Sequence, residues 1–431
     1  MNGWHPTPAL GRVLVTGAIG VGIAVLFGEP VLVVLVAPLL VVAALGLLHR
    51  PASAPRLRTG LDHATLTEGQ GTRSRLLIDD PDGVEHVARV AARAPYVAMQ
   101  PANGNVGALL DAQGEPPVIE VSPRRWGVRL LGEERVGLTA PWGGYRWGPV
   151  LLPGQSMSVL PSTAPLDSRA EVPQPVGLVG RHRSRRQGEG TEFAAIRPFH
   201  AGDRLRRINW RVSLRSGALH VVTTRAEQDA GVLLVVDALA DHGRSAGVDG
   251  AASSLDVTVR AAAAIAEHHV RMGDRVSLRV IGASHVYAGY GSGQRHLRVL
   301  LGRLARVRAG EPRDLAPERL HLRATAGTVV IVLSPMLTDA MGTAVALLAR
   351  RRLPVMVVDT LPPDVVPAAV EGTDPVIAAL AWRLRRVDRE QQLARLPALG
   401  CPVVTWRGPG TLDEVMRRLA RRAQLPRAGV R

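Results

Sequence analysis

A chain of 431 residues is too long for one core and has room for roughly two to four domains. Its 53 basic residues outnumber 37 acidic ones, for a formal charge of +16, and every basic residue is an arginine. Without lysine there is no Walker A phosphate loop, no kinase nucleotide lysine and no Schiff-base amine.

Residues 13–27 and 31–48 carry no charge and are parted only by Gly28, Glu29 and Pro30. They read as a helical hairpin. At about 1.5 Å per residue the second run reaches roughly 27 Å, enough to cross a bilayer, and the first roughly 22 Å, which is short. A signal peptide has one apolar run, whereas here a second follows at once, so these are expected to be retained anchors. Arg12 precedes the hairpin and Arg50, Arg56 and Arg58 follow it, which predicts both ends, and the soluble domains, on the cytoplasmic side of the cell membrane.

A short proline-rich tether at 51–55 leads into residues 60–162, where short apolar runs alternate with Gly, Pro and Asp turns. That is the pattern of a small all-β sandwich, with strands expected at 74–78, 118–121, 127–131, 135–138 and 157–160. Trp126, Trp142, Tyr145 and Trp147 suit its thin core better than a ligand platform. Residues 161–175 read as a linker.

Eleven arginines against Glu189, Glu192 and Asp203 put half of the net charge into residues 181–225. Arg181, Arg183, Arg185 and Arg186 read as a Gly-flanked solvated loop, open to anionic headgroups or simply to water. Nucleic acid is a weaker partner here, because no Gly-aromatic sheet motif, helix-turn-helix or zinc module frames the segment. Arg204, Arg206 and Arg207 precede an apolar stop, Ile208-Asn209-Trp210, and then Arg211, Ser213 and Arg215. Asp203, Glu192 and Glu227 are the carboxylates available to lock such arginines, and a partner's carboxylate is the alternative.

Residues 180–221 resemble the signature of family fifty-eight of the domains of unknown function. The resemblance rests on Gly180, Ser184, Gly188, Glu192, Phe193, Arg197, Gly202, Asp203, Arg206, Ile208, Trp210, Ser213 and Arg215. Pro198, Leu214 and Thr223-Thr224 depart from it. The paired N-terminal helices and the β-rich segment through Pro161 are similar to the family's too. The resemblance implies a membrane-anchored protein with a von Willebrand A-like domain and no established enzymatic activity. It implies work beside a MoxR-type AAA+ ATPase in the assembly or maturation of other complexes, with Glu192, Phe193, Arg197, Gly202, Asp203, Arg206, Ile208, Trp210, Ser213 and Arg215 as signature or partner-binding positions.

From Gly231 onward, buried apolar strands are expected at 232–236, 275–281, 328–333, 355–358 and 402–405, alternating with helices at 261–272, 294–307, 339–351, 375–396 and 412–423. Ser254 is the expected cap of the first and Gly273 its stop. Residues 285–290 are an expected antiparallel edge strand, and 289–293 (GYGSG) an expected turn. Right-handed crossovers then give a doubly wound α/β sheet with its ligand site at the strands' carboxyl ends, near Asp237 and Ser334-Pro335-Met336.

A von Willebrand A metal site requires Asp-x-Ser-x-Ser, and this chain reads Asp237-Ala238-Leu239-Ala240-Asp241, while after the 328–333 strand there is no aspartate until Asp339. Asp237 and Asp241 are therefore weak metal candidates, Asp237 is expected to accept backbone N–H bonds at the start of the adjoining helix, and no cofactor is expected. His268-His269 lacks a Glu-x-x-His frame and is expected on a partly exposed helix face; no Gly-x-Ser-x-Gly elbow is present. Cys401 is the lone cysteine and is expected to be buried beside the last strand. The organisation expected is a transmembrane hairpin (1–50), a β-rich domain (51–162), a linker with the arginine-rich signature (163–230) and the α/β domain (231–431). The function expected is a non-enzymatic adaptor, with a divalent-metal-dependent ligand-binding or hydrolytic protein as the alternative.

Overall fold

The computed structural model describes residues 3–79, 83–110, 116–163, 183–200, 203, 205–227, 231–283, 286–311, 328–351, 353–365, 374–408 and 410–411, with the backbone alone for 183–195, 206 and 223–227. The chain divides into two compact units, one of residues 1–161 with 246–249, the other of 162–245 with 250–431.

In the first unit a short strand β1 (His5–Pro6) precedes helices α1 (Pro8–Phe27) and α2 (Pro30–Leu48). The first helix starts five residues before the apolar run does, because Thr7 accepts the Leu10 N–H at 3.1 Å and Pro8 takes the first helical position. Arg12 consequently lies inside α1, not ahead of it, and 20 residues give a span of roughly 30 Å, not the shorter one expected. Both helices are long and apolar enough to cross a membrane. Gly17 and Gly20 let them approach: a Cβ at either would strike Leu40 or Val36 of the partner helix.

The β strands follow as β2 (Arg56–Leu61), β3 (Thr65–Thr67), β4 (Thr72–Asp79), β5 (His86–Ala91), β6 (Val97–Gln100), β7 (Asn105–Leu109), β8 (Ile119–Pro123), β9 (Gly127–Leu130), β10 (Glu134–Thr139), β11 (Tyr145–Leu152) and β12 (Ser156–Leu160). They form sheets ordered β1-β11-β10-β5-β7, β2-β4-β8-β6 and β3-β12-β9. Clean alternation in β4 and β5 puts Leu76 and Val87 inside. Trp126, Tyr145 and Trp147 are core residues, as expected, while Trp142 stands half-exposed on a 3-10 turn at Pro141–Gly143. Arg89 is buried among these strands. It donates to Glu134 at 2.9 Å, to the Ser74 hydroxyl and carbonyl at 3.0 Å each and to the Pro117 carbonyl at 2.7 Å.

The second unit opens with β13 (Arg183–Pro198), a 3-10 turn at Leu205–Arg207, α3 (Trp210–Ser216) and β14 (His220–Glu227), β13 and β14 forming an antiparallel pair. The expected solvated loop at Arg183, Arg185 and Arg186 is therefore strand; pairing with β14 overrides a Gly- and Arg-rich sequence that carries no alternation. Arg181, Gly202, Arg204 and most of the expected linker lie outside the described residues, as do the side chains of Glu192, Phe193, Arg206 and Glu227.

Next come β15 (Gly231–Ala238), α4 (Ser254–Arg271), β16 (Arg275–Gly282), β17 (Tyr287–Gly291), α5 (Gly293–Leu304), β18 (Val329–Ser334), α6 (Asp339–Arg350), β19 (Val355–Asp359), α7 (Pro375–Arg395) and β20 (Val403–Thr405). The sheet order is β17-β16-β15-β18-β19-β20, parallel except for β17. Every residue of β15 and β19 is buried, which is why those strands read as unbroken apolar runs; each such Val, Leu or Ile stabilises by about 1.5–3 kcal/mol. Ser253, not Ser254, caps α4, through a reciprocal box with Asp256. Gly289 to Gly291 belongs to β17 and Gly293 opens α5, so the expected turn is strand and helix start. His269 is buried, not partly exposed, because Asp274 pairs with its Nδ1 at 2.7 Å. Cys401 is buried, as expected. The expected helix at 412–423 lies outside the described residues.

Candidate functional site

The signature residues separate into those that build a frame and those the frame displays. Arg197, at the end of β13, clamps Asp203 with two bonds of 2.8 Å, and Asp203 also accepts the His200 N–H at 2.9 Å. The Arg197 guanidinium, then the His200 N–H, holds the Asp203 carboxyl below the ordinary carboxylate range. Carboxylate locking was expected of Arg204, Arg206 and Arg207; among the described residues Asp203 is held by Arg197, while Arg204 and the side chain of Arg206 lie outside them.

Asn209 is no apolar stop. Its side chain caps α3 by accepting the Val212 N–H at 3.1 Å, and its own N–H donates to the His220 carbonyl at 2.8 Å. Ser213 is buried, donating to the Asn209 carbonyl at 2.8 Å and accepting the His220 N–H at 2.9 Å, so one hydroxyl stitches α3 to the start of β14. Ile208 bridges to buried Val221, and Gly217 ends the helix in the left-handed conformation at φ 71°.

Upon this frame Trp210 is 62% exposed and Leu214, one turn later, 83%. Leu205 is 69% exposed in the preceding 3-10 turn. Arg211 and Arg215 are exposed and also one turn apart. Leaving such apolar side chains in water forgoes about 1.5–3 kcal/mol of burial each. Sequence reasoning singled out Trp210 but treated Leu214 only as a departure from the family; their i, i+4 spacing was the available signal, hidden because a seven-residue helix leaves no periodic run.

The second place of interest is the crevice where the sheet order reverses, between the carboxyl ends of β15 and β18. Buried Asp237 accepts the Ser334 hydroxyl at 2.6 Å and the Leu239 N–H at 3.0 Å. Burial pushes its carboxyl up, against the pull of those two bonds. Ser334 Oγ accepts the N–H of Met336, a residue held at φ 53°. Arg389 of α7 donates to the Pro335 carbonyl at 2.7 Å and to Asp359, and Gln392 donates to Asp339 at 2.6 Å. A cleft of about 340 Å³ remains, lined by Leu239, Met336, Thr338, Asp339, Arg389 and Gln392 among others. Asp241 accepts the Leu255 N–H at 3.1 Å, at the start of α4. His242 lies 5.8 Å from Trp382 between ring centres, and burial, then Arg385, lowers its pKa.

These residues do not fit a von Willebrand A metal. Both oxygens of Asp237 already hold internal donors, Leu239 has no oxygen to offer, and Asp241 and Asp339 are engaged in separate bonds. Among the described residues no three His, Cys, Asp or Glu side chains gather to hold an ion. Asp237 accepts a backbone N–H as expected, but in the loop after its strand and not at the start of α4.

Residues 195–372, which include α3 and the sheet from β15 to β19, match the family described as "Protein of unknown function DUF58". No curated protein matches the chain. A solved structure titled macromomycin covers 24% of this chain and 99% of its own, with 17% identity and a TM-score of 0.14, too slight a likeness to carry an argument.

Proposed function

The chain belongs, through residues 195–372, to the DUF58 family, and from that premise we propose that it is a membrane-anchored, non-enzymatic adaptor that presents α3 to a protein partner. The observation that carries this reading is the division of labour in the signature. Arg197, Asp203, Asn209 and Ser213 are consumed in fixing the helix, while Trp210 and Leu214 project from it with Arg211 and Arg215 alongside. Tryptophan and arginine on a rigid support are the residues that dominate binding energy at protein interfaces.

The class of partner comes from the family resemblance: a MoxR-type AAA+ ATPase, or the client complex it remodels. Arg12, five residues into α1, and Arg50, Arg56 and Arg58 after α2 favour cytoplasmic termini, which would put α3 in the compartment of such an ATPase. We read the second unit as von Willebrand A-like, a reading supported by the sheet order with its single antiparallel strand β17. It is a binding scaffold here, since the acidic groups at its carboxyl edge serve internal bonds.

Copurification tests the reading. Full-length protein extracted in mild detergent after crosslinking should bring down an AAA+ protein, and Trp210→Ala should lose it while melting normally. Recovery of no AAA+ protein or shared client by the wild type would refute the adaptor.

A further inference from the structure

The first unit joins its two apolar helices to its strands by direct backbone contact as well as by the chain that links them. Thr7, one residue ahead of α1, donates its N–H to the Gly144 carbonyl at 3.0 Å and its hydroxyl to the Gly143 carbonyl at 2.6 Å. Gly46, two residues before the end of α2, lies so near that a Cβ on Gly144 would stand 2.7 Å from its carbonyl oxygen. Pro6 and Tyr145 pair immediately beside these contacts. A single turn, residues 141–144, is thus pressed against the start of one helix and the end of the other.

Those contacts set the depth of the turn. With 20 and 19 residues, α1 and α2 reach roughly 30 and 28 Å, close to the about 30 Å of hydrocarbon in a bilayer. The ends at Thr7 and Leu48 then fall at the edge of the hydrocarbon, and the turn against them falls in the headgroup layer, roughly 5–8 Å deep on each side. Trp142 is two residues from Gly144, at most about 7.6 Å between Cα atoms, so that layer is within reach of its indole.

Neither the core nor the turn explains a tryptophan at this place. Trp142 is 52% exposed, whereas Tyr145 and Trp147 close by are buried. It holds φ 60° and Gly143 φ 63°, two successive left-handed residues where Gly or Asn fits and a bulky side chain is strained. The Glu85 carboxylate accepts its N–H at 3.1 Å, and Arg50, two residues past α2, lies over the Tyr145 ring at 5.7 Å. Tryptophan, with an apolar body and one N–H, favours the boundary between lipid and water.

We propose that Trp142 is an interfacial anchor whose indole sits among lipid headgroups at the end of the two spans, seating the β-rich unit on the bilayer surface. The inference rests on α1 and α2 spanning the membrane.

The test uses the full chain in phosphatidylcholine nanodiscs, where the emission of the wild type minus that of Trp142→Asn isolates the Trp142 contribution; asparagine tolerates the left-handed backbone and keeps the turn. Lipids brominated near the top of the acyl chain should quench that contribution at least roughly twofold more than lipids brominated near its end. Benzoylphenylalanine in place of Trp142, activated in native membranes, should give lipid adducts. Water-like emission quenched at neither depth, in a chain retained through a carbonate wash, overturns the anchor and leaves the spans standing. Release of the chain by that wash overturns both. Stronger quenching from the deep bromines, or photoadducts to a protein or a second copy in place of lipid, overturns the anchor in favour of that setting.

Discussion

Arg197 and Asp203, six positions apart, hold each other through two parallel bonds of 2.8 Å, ahead of the helix that displays Trp210. The pair is half-solvated, so its value lies in geometry more than in energy. Because the folded pKa of Asp203 is depressed, the stability it contributes is present above the ordinary carboxylate range and is lost as pH falls through the lowered value. Asp203→Asn should therefore raise amide exchange at His200 and around the start of α3 at neutral pH, and bring wild type and variant together in acid. Equal exchange at neutral pH would deny the clamp its role.

Asp237 has the opposite sign. Burial raises its folded pKa, so between the ordinary carboxylate value and the raised one the folded state binds more protons than the unfolded state. Its contribution is present at low pH and is lost as pH rises through the folded value. Asparagine can keep the Leu239 bond and donate to Ser334. Denaturation midpoints of wild type minus Asp237→Asn should thus decline from about pH 4 upward; a difference that stays flat would show that the carboxyl is ionised without cost.

Arg89 is sealed in the first unit with Glu134 as its counter-charge. Arg89→Ala strands a buried carboxylate and should cost about 3–5 kcal/mol, whereas Arg89→Met combined with Glu134→Leu should cost much less. Urea titration of the full chain in detergent, following the first transition, distinguishes the two. Equal losses would mean that packing volume, not charge, dominates the site.

The parallel core was legible because strands buried on both faces carry unbroken Val, Leu and Ile, as in β15, β18 and β19. The five strands expected in the β-rich region are present, each within about two residues. Strands such as β6 and β7 escaped notice because short edge strands carry too little alternation. The β13–β14 pair was illegible for a different reason: its pairing partner is distant in sequence, and glycine and arginine have no pattern of their own. At the site, Arg197 and Asp203 were identifiable as residues but not as each other's partner, since planar carboxylate locking is equally available to every nearby arginine.

The adaptor reading meets its most direct test at Leu214. A photoreactive amino acid placed there in the full-length chain, activated in native membranes, should give a discrete adduct with an AAA+ ATPase or its client, and Asp203→Asn should diminish that adduct. Adducts to lipid alone, or none beyond those from an unrelated exposed position, would contradict the account.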